Sequence, residues 1–167
     1  LFELPSGREA ETVLIPDIDE RGEARRLTVC VSSEVGCAMG CEFCATGRMG
    51  FRENLTPGAI FDQVWHMNEV AHERFGRPAT NIVFMGMGEP LLNYDAVLDS
   101  IRILTDEDSL NLSAQKITVS TVGLARRIKD LADDQLRTNL AVSLHAPDNE
   151  TRSRIMPVNE AEKTSLP

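Results

Sequence analysis

The sequence predicts an α/β fold whose core is a parallel sheet of strand–helix units, roughly the N-terminal half of an eight-fold (β/α) barrel. Two observations predict it. Short apolar, strand-like runs alternate with segments whose apolar residues recur at three- and four-residue spacing along most of the 167 residues. Strands alternating with helices give parallel neighbours joined by right-handed crossovers. Four such units fit here, whereas a closed eight-fold barrel takes about 250 residues.

The elements follow in order. Thr12-Val13-Leu14-Ile15 is a candidate strand, and Pro16 to Gly22 reads as a hairpin turn region. Residues 1–26 thus form a strand and hairpin extension leading into the barrel, and 27–167 the first part of the core domain. Leu27 to Ser32 alternates apolar and small polar residues, as a strand with unlike faces does. A loop with glycines at 36, 40, 47 and 50 follows. Thr56-Pro57 reads as N-cap and first helical position, and Ile60, Phe61, Val64, Met67, Val70 and Ala71 carry an amphipathic helix to about Phe75. Asn81 to Met85 is a buried-type strand, and Tyr94, Val97, Leu98, Ile101 and Leu104 mark the next helix. Lys116 to Thr121 is a third strand, with Leu124, Ile128 and Leu131 on a short helix behind it. Asn139 to Leu144 is a fourth, with helix-like sequence from Asp148 onward.

Composition bounds the function. Hydrophobic residues at 42% and charged residues at 26% are those of a globular protein, and no run approaches the roughly 20 apolar residues of a membrane span. With no signal-peptide pattern at the N-terminus, the expected location is the cytoplasm. A net charge of -9 argues against a nucleic-acid surface when taken alone, because phosphate neutralisation carries most of such affinity. It reads either as a solvated acidic face or as a sign that nucleic-acid contacts lie in other segments. Asp106-Glu107-Asp108 is a solvated loop, and His66 and His72, six apart on one helix, do not share a face for a metal. Met39, Met49, Met85 and Met87 read as core and loop packing.

The chemistry-bearing residues gather after the strands, where barrels of this type bind ligands. All four cysteines lie between Cys30 and Cys44, which is metal or catalytic spacing rather than a disulfide framework. Cys37, Cys41 and Cys44 form C-x3-C-x2-C and can place three thiolates on one small cluster, leaving one iron open. The competing reading is a structural zinc site with Cys30 as fourth ligand, although such sites more often pair two short arms from separate segments. Gly86-Met87-Gly88-Glu89-Pro90 follows the next strand, and the last two end at Ser120-Thr121 and Ser143-Leu144-His145.

A C-x3-C-x2-C loop after the first barrel strand, with Phe43 before its last cysteine, resembles the radical S-adenosylmethionine (SAM) enzymes. Val31 to Cys37, Cys44-Ala45-Thr46-Gly47, Phe84 to Asn93 and Leu144 to Pro147 narrow the resemblance to the RlmN/Cfr RNA methyltransferases, from Glu11 to Asn159. Pro90 after Gly88-Glu89 is closer to the RlmN branch, which methylates adenine C2, than to the Cfr branch, which attacks C8.

The resemblance implies a [4Fe–4S] cluster on Cys37, Cys41 and Cys44, whose open iron chelates SAM and releases a 5′-deoxyadenosyl radical on one-electron reduction. It further implies SAM contacts from Gly88, Glu89, Ser120, Ser143, Leu144 and His145. Glu11 becomes the proton acceptor at adenine C2, and Cys30 the catalytic cysteine that resolves a protein–RNA adduct through a disulfide. By composition alone, Glu11 would be a surface residue, Cys30 a small buried hydrophobe and His145 a structural histidine. The implied substrates are 23S ribosomal RNA and transfer RNA, the electron donor is a flavodoxin or ferredoxin, no membrane is involved, and the enzyme acts as a monomer. The family's methyl-carrying cysteine falls beyond Pro167 and its small RNA-binding domain before Leu1, so the chain is expected to be part of a longer protein, unable to transfer methyl groups alone. A radical SAM enzyme of another reaction class, such as a peptide-modifying or activating enzyme, and a non-enzymatic zinc-binding module built on all four cysteines remain the alternatives.

Overall fold

The computed structural model describes residues 1–161. Strands β1 (Phe2–Glu3) and β2 (Glu9–Ala10) make a short antiparallel pair, and β3 (Val13–Ile18) and β4 (Ala24–Cys30) a longer one. Next come β5 (Glu34–Val35), α1 (Ala45–Met49) and β6 (Glu53–Asn54), with β5 and β6 pairing antiparallel across the cysteine loop. The chain then alternates regularly: α2 (Pro57–Phe75), β7 (Asn81–Phe84), α3 (Tyr94–Thr105), β8 (Ile117–Thr121), α4 (Ala125–Asp133), β9 (Asn139–Val142), α5 (Asn149–Ile155) and α6 (Val158–Ala161).

The main sheet has the order β3-β4-β7-β8-β9. From β4 onward every pair is parallel and every neighbour is the next strand of this sheet in sequence, β5 and β6 pairing apart from it, the winding of a barrel rather than of a doubly wound sheet. The result is a mixed α/β unit with a central parallel sheet.

Local chemistry accounts for the helices. The Thr56 hydroxyl accepts from the Ala59 amide at 3.1 Å, Pro57 opens α2, and Gly76 closes it in the left-handed conformation. Asp148 caps α5 by accepting from the Thr151 amide at 2.8 Å.

The register separates two faces. Val29 pairs with Ile82, Ile82 with Ile117, and Phe84 with Val119, so these side chains share the face toward the helices, where all are buried. Val13 pairs with Cys30, Cys30 with Val83, and Val83 with Thr118 on the opposite, concave face.

Two expectations need correction. Pro16, Asp17 and Ile18 belong to β3 rather than to the turn; β3 is an edge strand, where a proline is tolerated because its missing N–H need not face a partner. The turn lies further on, where the Asp19 carboxylate accepts from the amides of Arg21 and Glu23. Met49 and Met85, expected in packing roles, are 47% and 50% exposed. The 26/27 division falls inside β4. Among the described residues no helix is long and apolar enough to cross a membrane.

Candidate active site

The loop after β4 turns sharply. Gly36 sits at φ +74, and a Cβ there would lie 1.8 Å from the Gly50 carbonyl oxygen, so only glycine lets the two ends of the cysteine loop close on each other. The loop presents Cys37, Cys41 and Cys44 to one cavity of about 270 Å³. Its opposite wall comes from the ends of the following strands: Glu89 after β7, Ser120 and Thr121 on β8, and Ser143 and His145 after β9.

Each wall residue has a defined support. Gly88 stands at φ +99, where a Cβ would lie 2.6 Å from Cβ of Glu34, so the turn lies directly on that buried carboxylate side chain. Glu34 accepts from the Glu89 amide at 2.9 Å. Glu89, only 2% exposed, accepts from the amides of Leu91 at 3.0 Å and Val122 at 2.8 Å, tying the β7 turn to the loop after β8. The Thr121 side chain hydrogen-bonds the same carboxylate, and Glu89 lines the cavity. The hydroxyls of Ser120 and Ser143 face each other at 3.5 Å. His145 holds a positive φ of 56°, uncommon for a residue with a side chain, and its ring lies 4.5 Å from that of Phe43, between centroids, across the cavity.

Electrostatics favour neutral thiols while the cysteines stand alone. Burial pushes the Cys37 thiol up to about 11, with the carboxylates of Glu34 and Glu89 adding to the effect. Burial also raises Cys41, Cys44 adds to it, and the buried guanidinium of Arg152 opposes the shift. Binding a cationic centre is what would draw the protons off such thiols.

The donor set fits an iron–sulfur cluster: three thiols on one short loop face one cavity, and Cys30 lies outside it. Among the described residues no three His, Cys, Asp or Glu side chains converge on a single-ion position. The fourth-ligand role for Cys30 in a zinc site is disfavoured by position, because Cys30 does not line the cavity that the other three cysteines share.

Glu11 and Cys30 form a separate pair. Cys30 is half-buried on the concave face; burial raises its thiol, a hydrogen bond with the Met85 backbone opposes that, and the charge of Glu11 adds to it. Glu11 is exposed. Leu144 is 48% exposed and does not line the cavity.

Residues 31–164 match the radical SAM superfamily. The chain belongs to that superfamily. It is 97% identical over 167 residues to the probable dual-specificity RNA methyltransferase RlmN of Salinibacter ruber, covering 100% of this chain and 45% of the relative. It is 49% identical over 159 residues to the protein of the same name in Chlorobaculum tepidum, covering 95% of this chain and 41% of the relative. The crystal structure of a radical SAM methyltransferase from Sphaerobacter thermophilus superposes with a TM-score of 0.86 at 48% identity, over 94% of this chain and 44% of that one. The chain thus spans less than half the length of the relatives it matches.

Several supports of this cavity were not foreseen. Asn93 precedes α3 as an N-cap would, yet its amide donates to the carbonyls of Ser33 and Leu55 at 2.8 Å each. Arg152 donates to the Val122 carbonyl at 2.6 Å and to Asn159. Ser32 and Gln63 are fully buried behind the glycine turn. An arginine in a short polar helix carries no sequence signal of burial, but Gln63 does: it interrupts the apolar face set by Ile60 and Val64.

Proposed function

We propose that this chain is the cofactor-binding part of a radical SAM methyltransferase that modifies adenine C2 in 23S ribosomal RNA and transfer RNA. The observation that carries the reading is the single cavity shared by three thiols of one loop and the carboxyl ends of three successive parallel strands. Its likeness to proteins named dual-specificity RNA methyltransferases supports the substrate class.

In this reading Cys37, Cys41 and Cys44 hold a [4Fe–4S] cluster. Gly88 and Glu89 offer the SAM ammonium group a carboxylate and a close-approaching main chain. Ser120, Ser143 and His145 supply polar contacts on the opposite wall, the touching rings of Phe43 and His145 form an apolar side of the cavity, and Leu144 contributes main chain alone. The bound cluster, reduced by a flavodoxin or ferredoxin, supplies the electron that splits SAM. Glu11 accepts the proton leaving adenine C2, and Cys30, kept protonated until needed, is the resolving thiol, through a disulfide with the methyl-carrying cysteine of the longer relatives. The net charge of -9 leaves this part little capacity to grip phosphate, so RNA is held by other segments. The enzyme works as a monomer in the cytoplasm.

The test is anaerobic reconstitution of the protein at the full length of its relatives. About four irons per chain are expected, with 5′-deoxyadenosine formed from SAM and C2-methyladenosine formed in ribosomal RNA fragments. Cys41→Ala should abolish all three. Zinc bound without iron would sink the cluster assignment; SAM cleavage with no methylated adenine would point to another radical SAM reaction, such as peptide modification.

A further inference from the structure

Gln63 is a wholly buried amide on the core face of α2. Such a group belongs there only if its polar atoms are satisfied. Its Oε1 accepts from the Thr12 hydroxyl at 2.5 Å and from the Ser32 amide at 2.9 Å. Its Nε2 donates to the carbonyls of Ser32 at 3.1 Å and Ala59 at 3.2 Å. Both main-chain polar groups of Ser32, just beyond the end of β4, are therefore held by one side chain from a neighbouring helix.

Ser32 passes the constraint on in two directions. Its hydroxyl donates to the Glu11 carbonyl at 2.6 Å and accepts from the Met87 amide at 2.9 Å. The turn is pressed against it, since a Cβ on Gly86 would lie 2.8 Å from the Ser32 hydroxyl oxygen and 2.7 Å from the Val31 carbonyl oxygen. One buried hydroxyl thus stands between the main chain of Glu11 and the turn that carries Gly88 and Glu89. Thr12 is a second tether from the same amide to the residue next to Glu11.

We propose that Gln63 and Ser32 are positioning residues that lock the Glu11 segment and the Gly86–Glu89 turn into one rigid unit. The catalytic consequence rests on the reading of Glu11 as proton acceptor: the base is held at a fixed separation from the SAM-binding turn. Neither residue touches substrate or cofactor; both act through main chain. The residue types follow from the task. Glutamine alone among side chains of this shape offers two acceptor directions and two donors, and serine is the smallest residue able to donate and accept at once.

The experiment uses the protein at full family length, with Ser32→Ala and Thr12→Val as small changes that each remove one tether. Hydrogen exchange is followed at residues 11–13 and 86–89, together with 5′-deoxyadenosine formed and methyl groups transferred. In Ser32→Ala, exchange should rise in both segments together, and SAM cleavage should stay within about threefold while methyl transfer per SAM cleaved falls about tenfold or more. Glu11→Gln should show the same loss of coupling without the rise in exchange. Exchange rising in one segment alone, or in neither, overturns the rigid unit. Cleavage and methyl transfer falling in parallel would reduce the pair to general structural support. Should Ser32→Ala fail to fold, Thr12→Val carries the same readouts. An unsubstituted protein that cleaves SAM yet never methylates adenine defeats the Glu11 assignment, while the exchange result still decides whether the two segments form one unit.

Discussion

On the helix-covered face of the sheet, Leu27, Val29, Ile82, Ile117 and Val119 are each at most 1% exposed. On the concave face, Val13, Ile15 and Met85 stand 41%, 48% and 50% exposed, and Cys30 and Ser120 are half-buried. The same strands contribute to both, because successive side chains point to opposite faces. Stability and chemistry are thus assigned to alternate residues of one strand: in β4, Leu27 and Val29 pack beneath the helices, and Thr28 and Cys30 stand on the concave face.

The largest expected effect tests that division directly. Ile117→Ala should destabilise by about 2–5 kcal/mol through lost burial and a residual cavity. Ile15→Ala, the same chemical deletion on the concave face, should cost about 1 kcal/mol or less, because much of that side chain is already in water. Urea unfolding of the two variants checks both, and equal losses would break the comparison.

Part of this arrangement was legible in the residues and part was not. The parallel strands and the long helices announced themselves through period, since a face that must be dry is written as regularly spaced apolar residues. The site cysteines, Ser120, Ser143 and His145 were legible because strand ends are where such a fold gathers ligands. Pro16 misled, because its turn preference yields where an edge strand leaves its nitrogen unpaired. Ser32, Glu34 and Arg152 were not foreseen as supports: their importance lies in which distant amide or carbonyl they meet, and pairings across 20 or more positions leave no local pattern.

A smaller effect concerns Glu34. Burial, with the nearby Glu89 charge, raises its carboxyl above the ordinary 4.5. A raised carboxyl contributes stability that is full below pH 4.5 and is lost as pH rises through the folded-state value. Glu34→Gln keeps an acceptor for the Glu89 amide and removes the titration. Its urea midpoint relative to the parent should therefore improve steadily from pH 4.5 to neutrality; a constant gap would show that the carboxylate is not penalised.

The smallest effect is a rate profile. In iron-free protein, iodoacetamide alkylation of Cys37 should keep accelerating until pH reaches about 11, as followed by peptide mass spectrometry. A plateau near the ordinary thiol value of 9.0 would mean that the loop is more open than its burial implies.

The meeting of Gly36 with the Gly50 carbonyl has a consequence for how this loop can change over time. Most tight contacts join two side chains, so an enlargement on one side can be forgiven by a trimming on the other. Here the obstacle is peptide backbone, 1.8 Å from where the new carbon would sit, and the opposing residue is already the smallest there is. No second-site reversion at position 50 can rescue a substitution at position 36. In a saturation screen this position should tolerate nothing, and suppressors of its loss should be absent rather than rare.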